Sequence, residues 1–367
     1  MINNERLIER FMRYVKVDSE TGNEKEFSEL IVKELEDLGL EVKRDNAGEK
    51  IGSNTNNIYC LVKGEGDESR IYSSHMDTVK PGININPVIE DGYIKSSGDT
   101  ILGGDDKAGI SVVMEALTTI IENNTKHNTI EIIFTISEEG GLNGSKNLDY
   151  SMINSKKGYI FDSGGEVGTI INQAPSQKKL RIEIIGEPAH AGGSPEKGIS
   201  AINVGAEAIS KMNLLRIDEE TTANIGTFKA EGATNIVNPK AFIEAEVRSL
   251  SEEKLKKQTD HMIEVLESTA KKYDAKVKID VDHLYSAYKY FNDDSLIKEV
   301  EKAMKKLDID AKKKSSGGGS DANIFYQNGI KTINLGIGGF HAHTLKENLK
   351  IEDFQKLAKI TYLLMTQ

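Results

Sequence analysis

The segment 103–137 limits the fold most strongly, because a long apolar helix pattern leads directly into an apolar strand pattern. GGDDKAGISVVMEALTTII is apolar on most sides, which is typical of a buried helix. NTIEIIFTIS, which follows it, is typical of a buried strand. Other strand-like runs alternate with helical patterns: LEVKR, NIYCLV, RIYSS and KGYIFDS. We therefore predict an α/β fold with a mostly parallel sheet.

The pattern of the sequence changes near residue 176. KLRIEIIG alternates apolar and polar residues, as a half-exposed strand does. Two helical patterns, at roughly 198–213 and 251–273, are interspersed with the strand-like runs NIGTF, AFIEAEVRSL and KVKIDVD. One-sided strands fit an antiparallel sheet. We predict a discontinuous α/β domain of residues 1–176 and 284–367, with an α+β domain of residues 177–283 inserted into it.

Composition restricts the partners and the compartment. The formal net charge of −11 argues against a nucleic-acid partner, but an acidic chain can attract metal cations. The single cysteine, Cys60, excludes an intrachain disulfide framework and a multi-cysteine zinc cluster. The sequence has no apolar run of about 18 residues and no signal-peptide pattern. We expect no membrane partner and a cytoplasmic location.

Several acidic and histidine residues follow predicted strands or begin a helix. They are His75, Asp77, Asp105, Glu138, Glu139 and Asp162. Sites in open α/β sheets form at the carboxyl edge of the strands, where these positions would meet. Oxygen and imidazole ligands without cysteine suit zinc, manganese or cobalt. Two plainer readings stay open: Asp105 and Asp106 as N-cap residues at the start of a helix, and His75 with Asp77 as a polar turn.

The adjacent acids of TISEEGG, Glu138 and Glu139, pose a separate question. Neighbouring side chains in an extended chain point in opposite directions. A two-metal hydrolase needs a carboxylate that bridges metals about 3.5–4 Å apart, and also a free base beside the reactive water. The two glutamates could therefore divide the work, with one on a metal and the other on the water.

Five motifs, in order, carry a family resemblance: SSHMDTV, GGDDKAG, TISEEGG, FDSGG and HTLKE. Over nearly its whole length the chain resembles the zinc-dependent exopeptidases and amidohydrolases, which include tripeptidase T, carboxypeptidase G, aminoacylase and succinyl-diaminopimelate desuccinylase. HAGGSPEKGISA and GGGSDANIF are most similar to tripeptidase T and its relatives. The resemblance implies a dinuclear zinc aminopeptidase that hydrolyses short peptides, with Co²⁺ or Mn²⁺ as possible replacements for the two Zn²⁺ ions.

The resemblance also assigns the metal ligands. It implies that His75, Asp105 and Asp162 bind one metal ion. Asp105, Glu139 and His343 would bind the second ion, with Asp105 as the bridging ligand. This assignment is compatible with the site at the carboxyl edge of the sheet that the residues alone predict.

Further roles follow from the resemblance. Glu138 would be the general base, Asp77 would orient His75, and His190 would stabilise the oxyanion from its own subunit or from a partner. The substrate-contacting positions would be Asn235, Arg248, Gly318 and Ser320. Plainer readings are a surface-loop histidine for His190, a structural salt bridge for Arg248 and a flexible linker for the glycine loop.

The resemblance also implies that the inserted domain serves as a lid and forms a homodimer. Asp162 is an aspartate, as in the tripeptidase-type members, whereas the carboxypeptidase-type members tend to carry glutamate. The chain is shorter than the tripeptidases, which leaves strict tripeptide specificity open. The alternative activities are a carboxypeptidase or N-acyl amino acid deacylase, which Arg248 suggests, and a non-catalytic metal-binding or assembly module.

Overall fold

The computed structural model describes residues 1–66, 68–292 and 294–367. The chain divides into two compact units. The first unit comprises Met1–Asn172, Lys289–Ser316 and Ser320–Gln367, and the second comprises Gln173–Tyr288 and Gly317–Gly319. The segment 177–283, in which we predicted an inserted domain, lies inside the second unit.

The α-helices of the described part of the chain are spread over both units. They are α1 (Asn4–Val15), α2 (Lys25–Asp37), α3 (Ala47–Ile51), α4 (Gly104–Glu122), α5 (Asn143–Lys146), α6 (Ala201–Lys211), α7 (Glu252–Lys272), α8 (Ser295–Lys305), α9 (Asp321–Gln327) and α10 (Ile351–Met365). None of these helices combines the length and the apolar character that crossing a membrane requires.

The strands of the described residues form three sheets. In chain order they are β1 (Val42–Arg44), β2 (Ile58–Val62), β3 (Ser69–His75), β4 (Pro87–Glu90), β5 (Tyr93–Ser96), β6 (Thr129–Thr135), β7 (Lys157–Ser163), β8 (Thr169–Ala174), β9 (Ser176–Ile185), β10 (Leu215–Arg216), β11 (Thr221–Lys229), β12 (Lys240–Ser249), β13 (Lys276–Tyr285), β14 (Tyr288–Lys289), β15 (Lys312–Ser315), β16 (Lys331–Gly336), β17 (Gly339–Phe340) and β18 (Asn348–Lys350).

The main sheet has the order β1-β2-β6-β3-β7-β16-β8-β14, and β15 also pairs with β8. Its centre is parallel, because β3 pairs in parallel with both β6 and β7, and β16 pairs in parallel with β7. The flanking pairs β1–β2, β2–β6 and β8–β16 are antiparallel. The predicted α/β class with a mostly parallel sheet is confirmed.

Helix α4 is buried along most of its length, as its apolar sequence predicts. Gly109 lets the helix approach the sheet closely, since an added Cβ would lie 2.3 Å from Ser74 Oγ and 2.4 Å from the Phe161 carbonyl oxygen. A side chain at position 109 would therefore push the helix away from β3 and β7. This close approach holds the start of α4 beside the carboxyl ends of both strands.

The second unit contains an antiparallel sheet of order β10-β11-β12-β9-β13. Residues at alternate positions of β12 are buried, which matches the alternation in its sequence. The buried side chains pack with those of α6 and α7 in one apolar cluster that includes Leu180, Val204 and Leu266. The predicted α+β character of this segment is thus present in the structure. A small third sheet, β17-β18-β5-β4, belongs to the first unit.

A buried ion-pair network ties α1 to α4. The Glu115 carboxylate is fully buried and accepts hydrogen bonds from Arg6 Nε at 2.7 Å, Arg6 Nη2 at 2.8 Å and Arg10 Nη1 at 2.9 Å. Removing one partner of a buried ion pair leaves an uncompensated charge, which costs about 3–5 kcal/mol.

We expect Glu115→Ala to lower the free energy of unfolding by about 3–5 kcal/mol in urea denaturation. Glu122→Ala is the matched control, because Glu122 also pairs with Arg6 but its side chain is 51% exposed. That control should change stability by no more than about 1 kcal/mol. Equal effects of the two substitutions would contradict the structural role of the buried pair.

Cys60 lies on β2 and is fully buried. Burial raises the pKa of its thiol to about 12, so the reactive thiolate is scarce near neutral pH. We expect Ellman's reagent at pH 8 to detect almost no thiol in the native protein and one thiol per chain after denaturation. Rapid reaction of the native protein would show that β2 opens readily.

Candidate metal centre and active site

The register of the parallel strands brings the predicted ligands to one edge of the main sheet. His75, the last residue of β3, lies opposite Thr135, the last residue of β6. Ser73 lies opposite Ile160 of β7, which places Asp162 level with His75. The residues that follow β6, including Glu138, therefore emerge beside His75. The register of β3 with β6 and β7 therefore brings the candidate site residues together. The sequence pattern alone only suggested this alignment.

The first candidate ligand group contains His75, Asp105 and Asp162, whose ligand atoms lie within 4.8 Å of one another. His75 Nε2 is 3.1 Å from Asp105 Oδ1 and 3.6 Å from Asp162 Oδ1. The other ring nitrogen, Nδ1, lies 2.9 Å from the Asp77 carbonyl oxygen. Since a donor at Nδ1 leaves Nε2 with its lone pair, the ring is oriented to offer Nε2 to a metal ion.

The second candidate ligand group contains Asp105, Glu139 and His343, also within 4.8 Å of one another. His343 Nε2 lies 2.6 Å from Glu139 Oε1 and 3.3 Å from Asp105 Oδ2. Asp105 therefore turns Oδ1 towards His75 and Oδ2 towards His343. A carboxylate with one oxygen in each of two ligand groups has the arrangement of a bridging ligand.

A third grouping of potential ligands, His75, Glu138 and Glu139, also lies within 4.8 Å. It would make Glu138 a ligand and would leave Asp105 and Asp162 unused. The two groups that share Asp105 use every predicted ligand and leave Glu138 free. We therefore favour the pair of groups that share Asp105.

The carboxylates around the two histidines favour positive charge at this edge. Burial opposes a charge on His75, but hydrogen bonds to Asp105, Asp162 and Asp77 outweigh it and hold the pKa of His75 well above its ordinary value. Hydrogen bonds to Asp105 and Glu139 raise the pKa of His343 to about 10. A cation held by these groups would satisfy the same demand for positive charge.

Glu138 lies in the loop after β6 and is only 9% exposed. Burial, followed by the nearby charge of Asp162, raises the pKa of Glu138 well above its ordinary value. Its backbone N–H donates to Asp77 Oδ1 at 2.9 Å, and the N–H of Glu139 donates to Asp77 Oδ2 at 3.1 Å. The Asp77 carboxylate therefore fixes the loop that carries both glutamates.

Asp77 thus has a contact that the sequence did not indicate. We predicted that it orients His75, and its Oδ1 lies 3.4 Å from His75 Nδ1, but its backbone carbonyl is the nearer partner of that nitrogen. Thr21 Oγ1 also donates to Asp77 Oδ2 at 2.8 Å. The spacing of two residues between His75 and Asp77 predicted the contact between them. The bonds from the N–H groups of residues 138 and 139 to Asp77 depend on long-range packing.

The N-cap alternative, which covered both aspartates of GGDDKAG, applies to Asp106 and not to Asp105. Asp105 and Asp106 both lie outside the helical region of backbone conformations. Asp106 Oδ1 accepts from the Gly109 N–H at 3.2 Å, as an N-cap side chain does, and Asp106 Oδ2 accepts from the His75 N–H at 3.2 Å. Asp106 therefore anchors β3 to α4 and leaves the Asp105 side chain for the site.

Two further buried acids support the site and were missed from sequence. Asp321 accepts hydrogen bonds from Thr135 Oγ1 at 2.6 Å and from Ser145 Oγ, so it links the end of β6 to α5. Glu347 accepts hydrogen bonds from the backbone N–H groups of Leu102, Gly103 and Asp105. Both residues lie in motifs that we recognised, GGGSDANIF and HTLKE, but no signal in the sequence assigned these contacts.

In the second unit, His190 is exposed and its Nδ1 accepts from the N–H groups of Gly192 at 3.1 Å and Gly193 at 3.0 Å. An acceptor at Nδ1 places the ring proton of the neutral imidazole on Nε2, which is then a donor. Asn235 is also exposed, and its backbone carbonyl oxygen accepts a hydrogen bond from the Ala191 N–H at 2.9 Å. The backbone bond between residues 191 and 235 places Asn235 beside the His190 loop.

The other predicted substrate-contacting residues already have structural partners. Arg248 is paired with Glu246 through two bonds of 2.9 and 3.0 Å, which agrees with the salt-bridge reading. Ser320 is 7% exposed and caps α9, where its Oγ accepts from the Ala322 N–H at 3.3 Å. Gly318 is partly buried, and an added Cβ there would lie 3.4 Å from Arg248 Nη1.

Comparison with known proteins agrees with the fold. Residues 71–367 match the family described as Peptidase family M20/M25/M40. Uncharacterized protein YqjE of Bacillus subtilis (strain 168) is 45% identical over 98% of this chain and 97% of its own length. The crystal structure of aminopeptidase PepT from Bacillus cereus ATCC 10987 is 43% identical, with a TM-score of 0.93 over 100% of this chain and 98% of that one.

A second crystal structure is similarly close. A tripeptidase from Staphylococcus aureus subsp. aureus mu50 is 39% identical, with a TM-score of 0.96 over 100% of this chain and 98% of that chain. These similarities cover both units rather than one alone. The chain therefore belongs to the M20/M25/M40 peptidase family and is a metallopeptidase.

Proposed function

We propose that this enzyme is a dinuclear metal aminopeptidase that hydrolyses short peptides. The observation that carries the proposal is the placement of Asp105, whose two carboxylate oxygens face two separate groups of metal-ligating side chains. The names of two close solved structures, an aminopeptidase and a tripeptidase, support the substrate class.

The residues present fit two divalent metal ions. Each group offers one imidazole nitrogen and two carboxylates, and neither contains a thiolate. This donor set suits zinc, and cobalt or manganese could occupy the same ligands. The same carboxylates raise the pKa values of His75 and His343, which is in keeping with a site that attracts positive charge.

Bound there, two metal ions would polarise the scissile carbonyl and lower the pKa of a nearby water molecule. Glu138, which is buried and whose backbone is anchored by Asp77, is placed to take a proton from water and to return it to the leaving amine. Asp77 holds the backbone of Glu138 in place for this exchange. The contact of His75 Nδ1 with the Asp77 carbonyl oxygen keeps the ring in the orientation that offers Nε2 to a metal ion.

The remaining predicted site residues stay part of this proposal. His190 presents Nε2–H as a donor, which suits an oxyanion, and one such donor is worth about 10²–10³-fold in kcat. Asn235, Arg248, Gly318 and Ser320 stay our predicted substrate contacts. A homodimer formed through the second unit and a cytoplasmic location are further parts of the proposal.

A peptide panel tests the direction of cleavage. Purified enzyme with added zinc, cobalt or manganese is incubated with trialanine, N-acetyl-trialanine and trialanine amide, and the products are identified by mass spectrometry. We expect trialanine and its amide to lose the amino-terminal residue, and acetylation to slow this cleavage at least about 10²-fold. The chelator-treated enzyme is the control for contaminating peptidases.

Two other outcomes would favour the alternatives. Release of the carboxyl-terminal residue or of the acetyl group would indicate a carboxypeptidase or an N-acyl amino acid deacylase. The pairing of Arg248 with Glu246 lessens the case for the former, since a peptide carboxylate would have to compete with Glu246. Hydrolysis of none of the peptides by the metal-loaded protein would favour a non-catalytic metal-binding module.

A further inference from the structure

Glu347 makes a set of contacts that its position outside the ligand groups does not explain. Its side chain is buried, with the residue only 4% exposed. Oε2 accepts from the N–H groups of Leu102 and Gly103, both at 2.8 Å, and Oε1 accepts from the N–H of Asp105 at 3.0 Å. One carboxylate therefore holds three backbone donors of the turn that carries Asp105.

The turn is built to receive this carboxylate. Gly103 has a φ of +73°, in the left-handed region that favours glycine. Gly104 lies against Glu347, since an added Cβ would be 3.2 Å from Oε1. The two glycines of GGDDKAG thus allow the backbone to wrap closely around the Glu347 side chain.

Glu347 also belongs to the segment that carries His343. It follows His343 by four residues, and its own N–H donates to the Thr344 carbonyl at 3.0 Å within that turn. The side chain of His343 is 52% exposed and contacts Asp105 and Glu139 through Nε2. Glu347 is therefore a direct link between the loop of His343 and the turn of Asp105.

We propose that Glu347 is a positioning residue that fixes Asp105 and His343 relative to each other and so sets the affinity of the metal site formed by Asp105, Glu139 and His343. The proposal rests on the dinuclear centre proposed above. It concerns a residue that touches neither the metal ligand atoms nor the substrate, and that acts through the backbone on either side of the site.

The two metal sites should depend on Glu347 to different extents. His75 is the last residue of a central strand, is 1% exposed, and is fixed by bonds at its backbone N–H and at Nδ1. His343 lies in a loop with a φ of +64° and lacks such a strand. Loss of Glu347 should therefore weaken the His343 site more than the His75 site.

Glu347→Gln separates positioning from packing. Glutamine has the same size but only one acceptor oxygen, so it cannot accept from all three N–H groups with both ends of its side chain. Its amide NH₂ must face either the backbone N–H of Asp105 or those of Leu102 and Gly103, and it cannot accept a hydrogen bond from them. Glu347→Ala, which removes all three bonds, gives the full effect.

The matched control is Glu352→Gln. It makes the same chemical change five residues further along the chain, on a side chain that is 64% exposed and pairs with Lys356. Each protein is stripped of metal, and zinc is then titrated by calorimetry, with metal content after dialysis measured by inductively coupled plasma mass spectrometry. The melting temperature of each metal-free protein is recorded in parallel.

We expect wild type and Glu352→Gln to bind two zinc ions. Glu347→Gln should bind one ion with nearly unchanged affinity and the second about 10–100-fold more weakly, as is usual for residues that orient metal ligands. Glu347→Ala should lose the second ion after dialysis. Equal weakening of both ions in Glu347→Gln, or unchanged binding of both, would overturn the proposal.

The number of zinc ions that the wild type binds distinguishes a failure of the dinuclear centre from a failure of the role of Glu347. A wild-type protein that binds fewer than two ions would contradict the dinuclear centre itself. If metal-free Glu347→Ala fails to fold, as its melting curve would show, the comparison rests on Glu347→Gln. Wild-type binding of two ions together with unweakened second-ion binding in Glu347→Gln would contradict the role of Glu347 alone.

Discussion

Glu138→Gln should lose peptide hydrolysis by about 10²–10⁴-fold while both metal ions stay bound. The amide cannot take up a proton from water, so the loss should appear in kcat rather than in KM. The substitution keeps the size of the side chain and the backbone bond from residue 138 to Asp77. The measurements are kcat and KM for trialanine, together with the zinc content of the variant.

The adjacent acid supplies a matched control. Glu139→Gln makes the same change one residue along the chain, at a carboxylate that lies 2.6 Å from His343 Nε2. It should weaken binding of the second ion, so that its activity is partly restored by added metal, whereas Glu138→Gln should not respond. Loss of metal from Glu138→Gln would instead support the grouping in which Glu138 is a ligand.

Asp105→Ala should have the second large effect, because one substitution removes a ligand from both groups. We expect zinc content to fall below one ion per chain and activity to fall on the order of 10³-fold or more, since losing several kcal/mol of charge stabilisation by metal corresponds to such a factor. Zinc content after dialysis and steady-state hydrolysis of trialanine measure both effects.

His343→Ala is the comparison that makes the Asp105 result specific. It removes a ligand from one group only, so the site of His75, Asp105 and Asp162 should keep one ion. The expected order of zinc content is wild type, then His343→Ala, then Asp105→Ala. If His343→Ala and Asp105→Ala retain equal amounts of zinc, Asp105 does not serve two sites.

The sequence was most informative where local pattern and fold agree. An apolar helix followed by an apolar strand predicts buried parallel packing, and parallel strands end at a common edge. His75, Glu138 and Asp162 were therefore expected to lie together, and the register of β3 with β6 and β7 brings them there. The change of pattern near residue 176 likewise fits the antiparallel sheet of the second unit.

The supporting contacts could not be predicted in the same way. Glu347 and Leu102 are distant in sequence, and nothing in HTLKE indicates that its glutamate receives backbone donors from another loop. The bonds from residues 138 and 139 to Asp77 are of the same kind. Such contacts depend on where loops end in space, which periodicity does not encode.

One contact was within reach of sequence reasoning. Glu246 and Arg248 are two residues apart on β12, and alternate residues of a strand share a face. Opposite charges at that spacing favour the ion pair that the structure contains.

In the proposed centre, two metal ions share Asp105 while Glu138 remains free. Crystals grown with zinc, measured on both sides of the zinc absorption edge, test this directly. We predict two anomalous peaks, one among His75, Asp105 and Asp162 and one among Asp105, Glu139 and His343, with the Glu138 carboxylate bound to neither. A single peak, or a peak within bonding distance of Glu138, would contradict the account.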